Sequence, residues 1–365
     1  MRIGIDAREL SGRPTGVGRY LSALLREWNA AAATAPAPHQ FVLYLAGAPA
    51  GWVGRELTAL PLTVRVVPGS GGSWWEQMQL PGASAADALD VLFAPAYTAP
   101  LCAGCPVVLT IHDLSYLAHP EWFRPRERWR RAWLTRASAR RASAILTDSA
   151  FSGGEIQRLL DVAGDRVRVV PLGLGLHDRL PSRESRAPLV LFAGSIFNRR
   201  HVPDLVDAFA VVARSRPEAR LVIVGENRTW PPEDIGGRVR ALGLEPCVTL
   251  SSYVTDEELA DLYARASAFV FLSEYEGFCL TPLEALAAGV PIVVADTPVA
   301  REVYEDAALY VGRGDIAATA AAIDDLLAGG PSAARVLAAA QRLLPRYSWP
   351  RAAAETLAVI EGAAR

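Results

Sequence analysis

Short apolar, β-branched runs alternate with longer stretches of helical periodicity along the whole chain. The runs are Arg2–Asp6, Phe41–Leu45, Thr63–Val67, Val91–Ala94, Val107–Ile111, Ala144–Thr147 and Val167–Val170. A second series comprises Leu189–Ala193, Leu221–Val224, Val248–Leu250, Ala268–Leu272 and Pro291–Ala295. Strands separated by helical segments make βαβ units and a parallel sheet, so the fold class is α/β. The two series are divided by His177–Pro188, a polar stretch with two prolines that reads as a linker. The pattern therefore predicts two Rossmann-like domains, residues 1–177 and residues 188–346. Residues 347–365 start near Trp349 and keep helical periodicity through Ala353, Leu357 and Ile360. This last helix is expected to pack back on the N-terminal domain. Ligands of such sheets bind at the carboxyl ends of the strands, which places the expected site in a cleft between the domains.

Composition agrees with a two-domain globular chain: 365 residues, 51% apolar and 21% charged. The 37 basic residues are all arginine, set against 39 acidic ones, for a net charge of −2. That balance argues against a nucleic-acid partner. The lack of lysine excludes a P-loop lysine, a Schiff-base lysine and a lysine nucleophile. Any anion must be gripped by arginine, backbone N–H groups or a helix N-terminus. No apolar run reaches the ~18 residues of a membrane span, and Met1–Asp6 reads as a strand and not as a signal peptide. Cys102 and Cys105 form a lone CxxC before Pro106, which reads as a turn and not as a metal or redox motif. The expected compartment is the reducing cytoplasm.

The most informative stretch is Phe269–Asp296, FVFLSEYEGFCLTPLEALAAGVPIVVAD. A strand ends at Leu272, a turn follows, and Thr281-Pro282-Leu283-Glu284 reads as a capping box opening a helix that stops at Gly289. Such a turn offers N–H groups and a positive dipole end to a diphosphate. Glu276 and Glu284 flank it, eight residues apart. On the residues alone, Glu284 is either a helix cap or a ligand, and Glu276 either a solvated loop residue or a ligand.

This paired-glutamate segment resembles that of the retaining glycosyltransferases of family 4, which have the GT-B fold of two Rossmann-like domains and include mannosyltransferases of bacterial surface polysaccharides. IDARELSGRPTGVGRY, WEQMQLP, TIHDLSYLAHPEWF, ILTDSAFS, VVPLGLG and LFAGSIFNRRHVPDLVDAFA resemble the same family in order. The resemblance implies that Glu284 accepts the ribose hydroxyls of a nucleotide sugar and that Glu276 meets hydroxyls of the donor sugar. It makes Gly277, Phe278, Cys279 and Leu280 part of the donor site. It also implies that Arg199 and Arg200 bind the leaving diphosphate, with Arg200 standing where relatives carry lysine and Ser195 where some carry arginine. Gly16, in Thr15-Gly16-Val17-Gly18-Arg19, belongs to a loop closing on the donor, and Val254 to the loop lining the base. His112 takes the place of the family's N-domain histidine, with Asp113, Glu76 and Gln77 toward the acceptor.

No Asp-x-Asp occurs, and no cluster has metal-ligand spacing, so no cofactor and no metal are expected. The expected partners are a nucleotide-sugar donor and a glycan or lipid-linked acceptor. Glu121–Arg141 holds eight arginines and three tryptophans. It reads as a helix with a tryptophan core face and a solvated basic face. The competing reading is a peripheral contact with an anionic membrane at its inner face. The function expected is a metal-independent retaining hexosyl transfer. A sugar-nucleotide 2-epimerase on the same fold and a non-catalytic nucleotide-sugar-binding partner are the rival readings.

Overall fold

A computed structural model describes residues 1–11, 16–34, 39–175 and 187–365. Thr15 of the glycine-rich stretch and residues 177–186 of the linker lie outside the described residues. The chain divides into two compact units. Unit 1 takes residues 1–118, 126–173 and 348–365, and unit 2 takes residues 119–125 and 174–347.

Unit 1 is built on β1 (Arg2–Asp6), β2 (Gln40–Leu45), β3 (Leu62–Val66), β4 (Val91–Ala94), β5 (Val107–Thr110), β6 (Ala144–Thr147) and β7 (Val167–Val169). All pair in parallel in the order β3-β2-β1-β4-β5-β6-β7. Ile3, Ile5, Leu43, Phe93, Leu109 and Ile145 are wholly buried, as strands covered on both faces require. The helix Trp349–Ala363 belongs to this unit. Ile360 is fully buried in it, and the Ala353 carbonyl accepts from Trp28 Nε1 at 2.9 Å.

Unit 2 repeats the plan with β8 (Leu189–Ala193), β9 (Arg220–Val224), β10 (Val248–Ser251), β11 (Ala268–Phe271), β12 (Ile292–Ala295) and β13 (Leu309–Val311), ordered β10-β9-β8-β11-β12-β13. In each sheet the strand order reverses once, between β1 and β4 and between β8 and β11. That reversal splays the following loops apart and makes the carboxyl edge there the natural ligand seat. The edge strand β13 has no counterpart among the runs read from sequence; it is three residues long and only part-buried, so its apolar signal is weak.

Candidate functional site

In unit 2 the loops after β8 and β11 meet at the strand-order reversal. The first turns at Gly194 and runs to a 3-10 turn, Asn198–Arg200; the second carries Ser273 to Leu280. Arg200 Nε donates to Glu276 Oε1 at 2.8 Å and Nη1 donates to the Ser195 carbonyl at 2.7 Å. Arg199 Nε lies 3.6 Å from the same carboxylate oxygen, and the Ser273 hydroxyl donates to it at 2.9 Å. The guanidiniums stack on rings, Arg199 over Phe197 at 4.5 Å and Arg200 over Phe271 at 4.9 Å. Gly194 has φ +139°, a backbone conformation that side chains rarely adopt, and a Cβ there would stand 2.7 Å from Arg200 Nη1 and displace the guanidinium.

Burial by itself pushes the Glu276 carboxyl up, but the Arg200 and Arg199 charges prevail and hold it down to about 2. Glu276 is thus ionised at any working pH. Two guanidiniums face this one carboxylate, and among the described residues Arg199 Nε is buried without a hydrogen-bond partner. A site of this kind is ready for an anion with several acceptor oxygens.

The helix after the loop spans Thr281–Ala287, and its entry corrects the capping box expected at Thr281. Leu280 takes the cap position in a helical conformation, with no side-chain cap bond. Cys279, at φ +66°, turns the chain one residue early, so Thr281 already lies inside the helix with its hydroxyl 3.5 Å from Cys279 Sγ. Glu284, half-buried, accepts from the Tyr263 hydroxyl at 3.3 Å and closes no box with Thr281. Gly277 and Phe278 are buried, and the Tyr304 hydroxyl donates to the Cys279 carbonyl at 3.2 Å. Burial pushes the Cys279 thiol up to about 12, so it stays neutral. The helix closes through Gly289 (φ +73°), whose N–H reaches Leu286 while that of Val290 reaches Ala285.

Sequence reasoning missed what supports this loop. His201, at φ +46°, and Arg313 both meet Glu274 Oε2, at 2.9 and 2.5 Å. The Glu274 N–H in turn donates to the Arg199 carbonyl at 2.9 Å, tying the two loops together. A histidine in a left-handed turn 73 residues before Glu274 and an arginine 39 residues after it give no sequence signal of that pairing. Val254 sits part-buried in the loop after β10, just before Thr255, which caps the helix Asp256–Arg265. A groove of about 590 Å³ lined by Arg301, Tyr310, Arg335 and Arg342 contains none of these residues.

In unit 1, His112 follows β5. Its Nδ1 lies 2.7 Å from Asp148 Oδ2 and its Nε2 lies 3.1 Å from the Pro95 carbonyl. Asp113 accepts from the Ser115 N–H and hydroxyl at 2.9 and 2.7 Å, capping a short helix. Gly16 opens the helix Gly16–Thr34 and is exposed. Glu76 and Gln77, expected to face an acceptor, are turned to the protein instead. Glu76 is fully buried, pairs with Arg8, and accepts from Thr98 and Gln77 at 2.7 and 2.9 Å. The amide of Gln77 also donates to the Ala99 carbonyl at 3.0 Å, and its oxygen accepts from the Leu101 N–H at 3.0 Å. A π-helical turn, Trp75–Gln79, rotates both inward. Asp6, paired with Arg8 at 2.8 Å, completes this cluster.

The tryptophan face of Glu121–Arg141 is also corrected. In the helix Pro125–Arg141 the buried residues are Ala132, Leu134, Thr135, Ser138 and Ala139. Trp129 and Trp133 stand in solvent, 69% and 62% exposed, because the small side chains take the core side. Among the described residues, no group of three or more His, Cys, Asp or Glu converges as a metal site would, and no helix is long and apolar enough to cross a membrane.

Residues 14–177 match the Glycosyltransferase Family 4 model, and residues 178–343 match the Glycosyl transferases group 1 model. The chain is 30% identical over 269 residues to the O-antigen chain mannosyltransferase B of Escherichia coli, covering 68% of each protein. It is 30% identical over 237 residues to the GDP-mannose:cellobiosyl-diphosphopolyprenol alpha-mannosyltransferase of Komagataeibacter xylinus, covering 64% of this chain and 59% of that one. Its fold is that of sucrose-phosphate synthase from Thermosynechococcus elongatus, with a TM-score of 0.77 at 18% identity over 99% of this chain and 98% of the other. Two Rossmann-like sheets with this strand order, two matched family models and a relative matched over two thirds of its length place the chain among the family 4 glycosyltransferases of the GT-B fold.

Proposed function

We propose that the chain transfers a hexose, with retention at the anomeric carbon, from a nucleoside diphosphate sugar to a lipid-linked or other glycan acceptor. The observation that carries this is the arrangement of Arg199 and Arg200 on the buried Glu276 carboxylate at the strand-order reversal of unit 2. The two guanidiniums bind the departing diphosphate and stabilise its developing charge; preorganised donors of this kind each supply a few kcal/mol. This work needs no metal. Glu276 Oε1 accepts from Arg200 and Ser273, and Oε2 is the oxygen assigned to hydroxyls of the donor sugar. Glu284 accepts the ribose hydroxyls beside Tyr263. Gly277 to Leu280, Ser195 and the loop at Val254 complete the part of the donor site that unit 2 supplies. The mannosyltransferase relatives favour GDP-mannose as donor, with UDP-hexoses on the same framework as the other class.

Arg200→Ala and Glu276→Ala should each lower turnover at least 100-fold while leaving the fold intact by circular dichroism, and unchanged turnover in both would refute the assignment. Thermal shifts with GDP, UDP and ADP identify the base, because a nucleotide that binds only the folded chain raises its melting temperature. NMR of the glycosidic product tests retention: an α donor must give an α product.

The acceptor reading extends to an anionic membrane surface at the cytoplasmic face. The helix Pro125–Arg141 carries Trp129 and Trp133 outward among arginines, and Trp74 and Met78, also of unit 1, are 65% and 64% exposed. Tryptophan at the interface and arginine toward lipid phosphate are the chemistry of a peripheral contact that would bring the enzyme to a lipid-linked acceptor.

A further inference from the structure

At the carboxyl edge of the first sheet, one imidazole faces two acceptors. The carbonyl of Pro95, in the loop after β4, lies 3.1 Å from His112 Nε2, and Oδ2 of Asp148, directly after β6, lies 2.7 Å from Nδ1. A backbone carbonyl can only accept, so Nε2 must carry a proton. The second proton lies between Nδ1 and the carboxylate, in the form of an imidazolium paired with Asp148. Neither ring nitrogen then keeps a lone pair for substrate. His112 and Asp148 are 13% and 5% exposed at their side chains, and the ring is closed in by Tyr20 at 5.0 Å and Tyr97 at 5.6 Å, both edge-on. The Ser152 hydroxyl donates to the His112 carbonyl at 3.2 Å, so the main chain is held as firmly as the ring.

We infer that Asp148 is a positioning residue that keeps His112 doubly protonated, so that the end of β5 presents a paired cation and not a general base. That single imidazolium also joins the loops after β4, β5 and β6, three consecutive loops at the carboxyl edge of the first sheet.

Asp113, the chain neighbour of His112, adds negative charge; Tyr20 and Tyr97 are held neutral by burial; Arg131 is taken up against the Tyr97 and Tyr116 rings at 5.0 Å each. Burial alone would push the imidazole down, but the Asp148 charge and hydrogen bond outweigh it and raise its pKa.

The inference rests on the transferase reading only for its kinetic arm. The direct arm is side-chain nitrogen NMR of the whole chain between pH 6 and 9, with His112→Gln to assign the signal. Both nitrogens of His112 should be protonated at pH 7.5 in the native chain, and the Asp148→Asn variant should become neutral in the same range, with the protonated state restored by Asp148→Glu. A native His112 that is neutral at pH 7.5 with a bare nitrogen would overturn the inference. If Asp148→Asn fails to fold, the native titration alone decides. In the kinetic arm, the alkaline limb of the kcat profile should move at least one pH unit lower in Asp148→Asn, with KM for the donor changed less than twofold. An unmoved limb beside reduced activity would make Asp148 merely structural. Should no nucleotide sugar be turned over at all, the transferase reading fails while the NMR result still stands.

Discussion

Cys279 holds the donor-site loop in a conformation that few side chains tolerate. At φ +66° a β-carbon crowds the backbone, a strain of about 1 kcal/mol that grows for branched residues. Cys279→Gly should therefore stay within about 1 kcal/mol of the native stability, since glycine relieves the strain but frees the unfolded chain. Cys279→Val should lose about 2 kcal/mol or more in the same urea titration, and equal midpoints for the two would show that the turn is not what selects the residue. Arg200 is a sharper case, because two directed bonds and a ring face depend on its shape. A lysine could keep the charge but not both bonds, so Arg200→Lys should cost at least tenfold in kcat/KM, about 1.4 kcal/mol. Native activity in that variant would mean that charge alone suffices there. Glu276, Arg199 and Arg200 could be named because the segments that carry them resemble the family's motifs, and the fold brings the three side chains together. Glu274, His201, Arg313 and Asp148 could not, because each acts through a partner that only the folded sheets bring near.

At the scale of elements, every strand but β13 could be read to within a residue or two, because most of them are buried on both faces and almost continuously apolar. The helices were harder. Pro125–Arg141 offered tryptophans at one-turn spacing, and such pairs are ordinary core material, yet this helix packs through Leu134 and the small residues Ala132, Thr135, Ser138 and Ala139. The tell was composition: a face rich in small residues can approach a sheet closely, which leaves bulky side chains for the other side. Because Trp129 and Trp133 are already in solvent, Trp129→Ala with Trp133→Ala should change stability by less than about 0.5 kcal/mol. The same double variant should lower binding to vesicles containing anionic phospholipid several-fold in a flotation assay and leave turnover of a water-soluble acceptor unchanged. Equal flotation would remove the membrane reading and leave the donor site untouched. Ile360, in the helix Trp349–Ala363, tests the opposite condition. It is fully buried, so Ile360→Ala should cost about 2–4 kcal/mol in unit 1, read as a lower urea midpoint, and a loss below 1 kcal/mol would contradict the packing.

Across the whole molecule, the two units carry buried carboxylates whose titrations run in opposite senses. Burial raises Asp6 of unit 1 to about 6, and Arg8 beside it offsets this only partly. The folded unit therefore binds more protons than the unfolded chain between about pH 4 and 6, and its stability rises as pH falls through that window, by about 3 kcal/mol when complete. His112 adds to the same trend: its raised pKa gives stability that is complete below the usual histidine range and is lost as pH rises through the folded value. Asp87, held low by hydrogen bonds from Arg65 and Tyr44 against a smaller effect of burial, opposes this only below about pH 4. Unit 2 behaves in reverse, because Glu276 is lowered to about 2. Its ion pairs contribute about 3 kcal/mol above pH 4.5, and that contribution is lost as pH falls from there toward 2. Hydrogen exchange of the β1–β7 and β8–β13 amides, normalised for the intrinsic pH dependence, reads the two separately. Between pH 7.5 and 5 the first sheet should gain protection relative to the second, and below pH 4.5 the second should lose it. Asp6→Asn should flatten the first change and Glu276→Gln the second. A native pH profile that survives both substitutions would mean that these carboxylates do not govern acid stability, and that the ion pairs at the donor site are held by packing instead of charge.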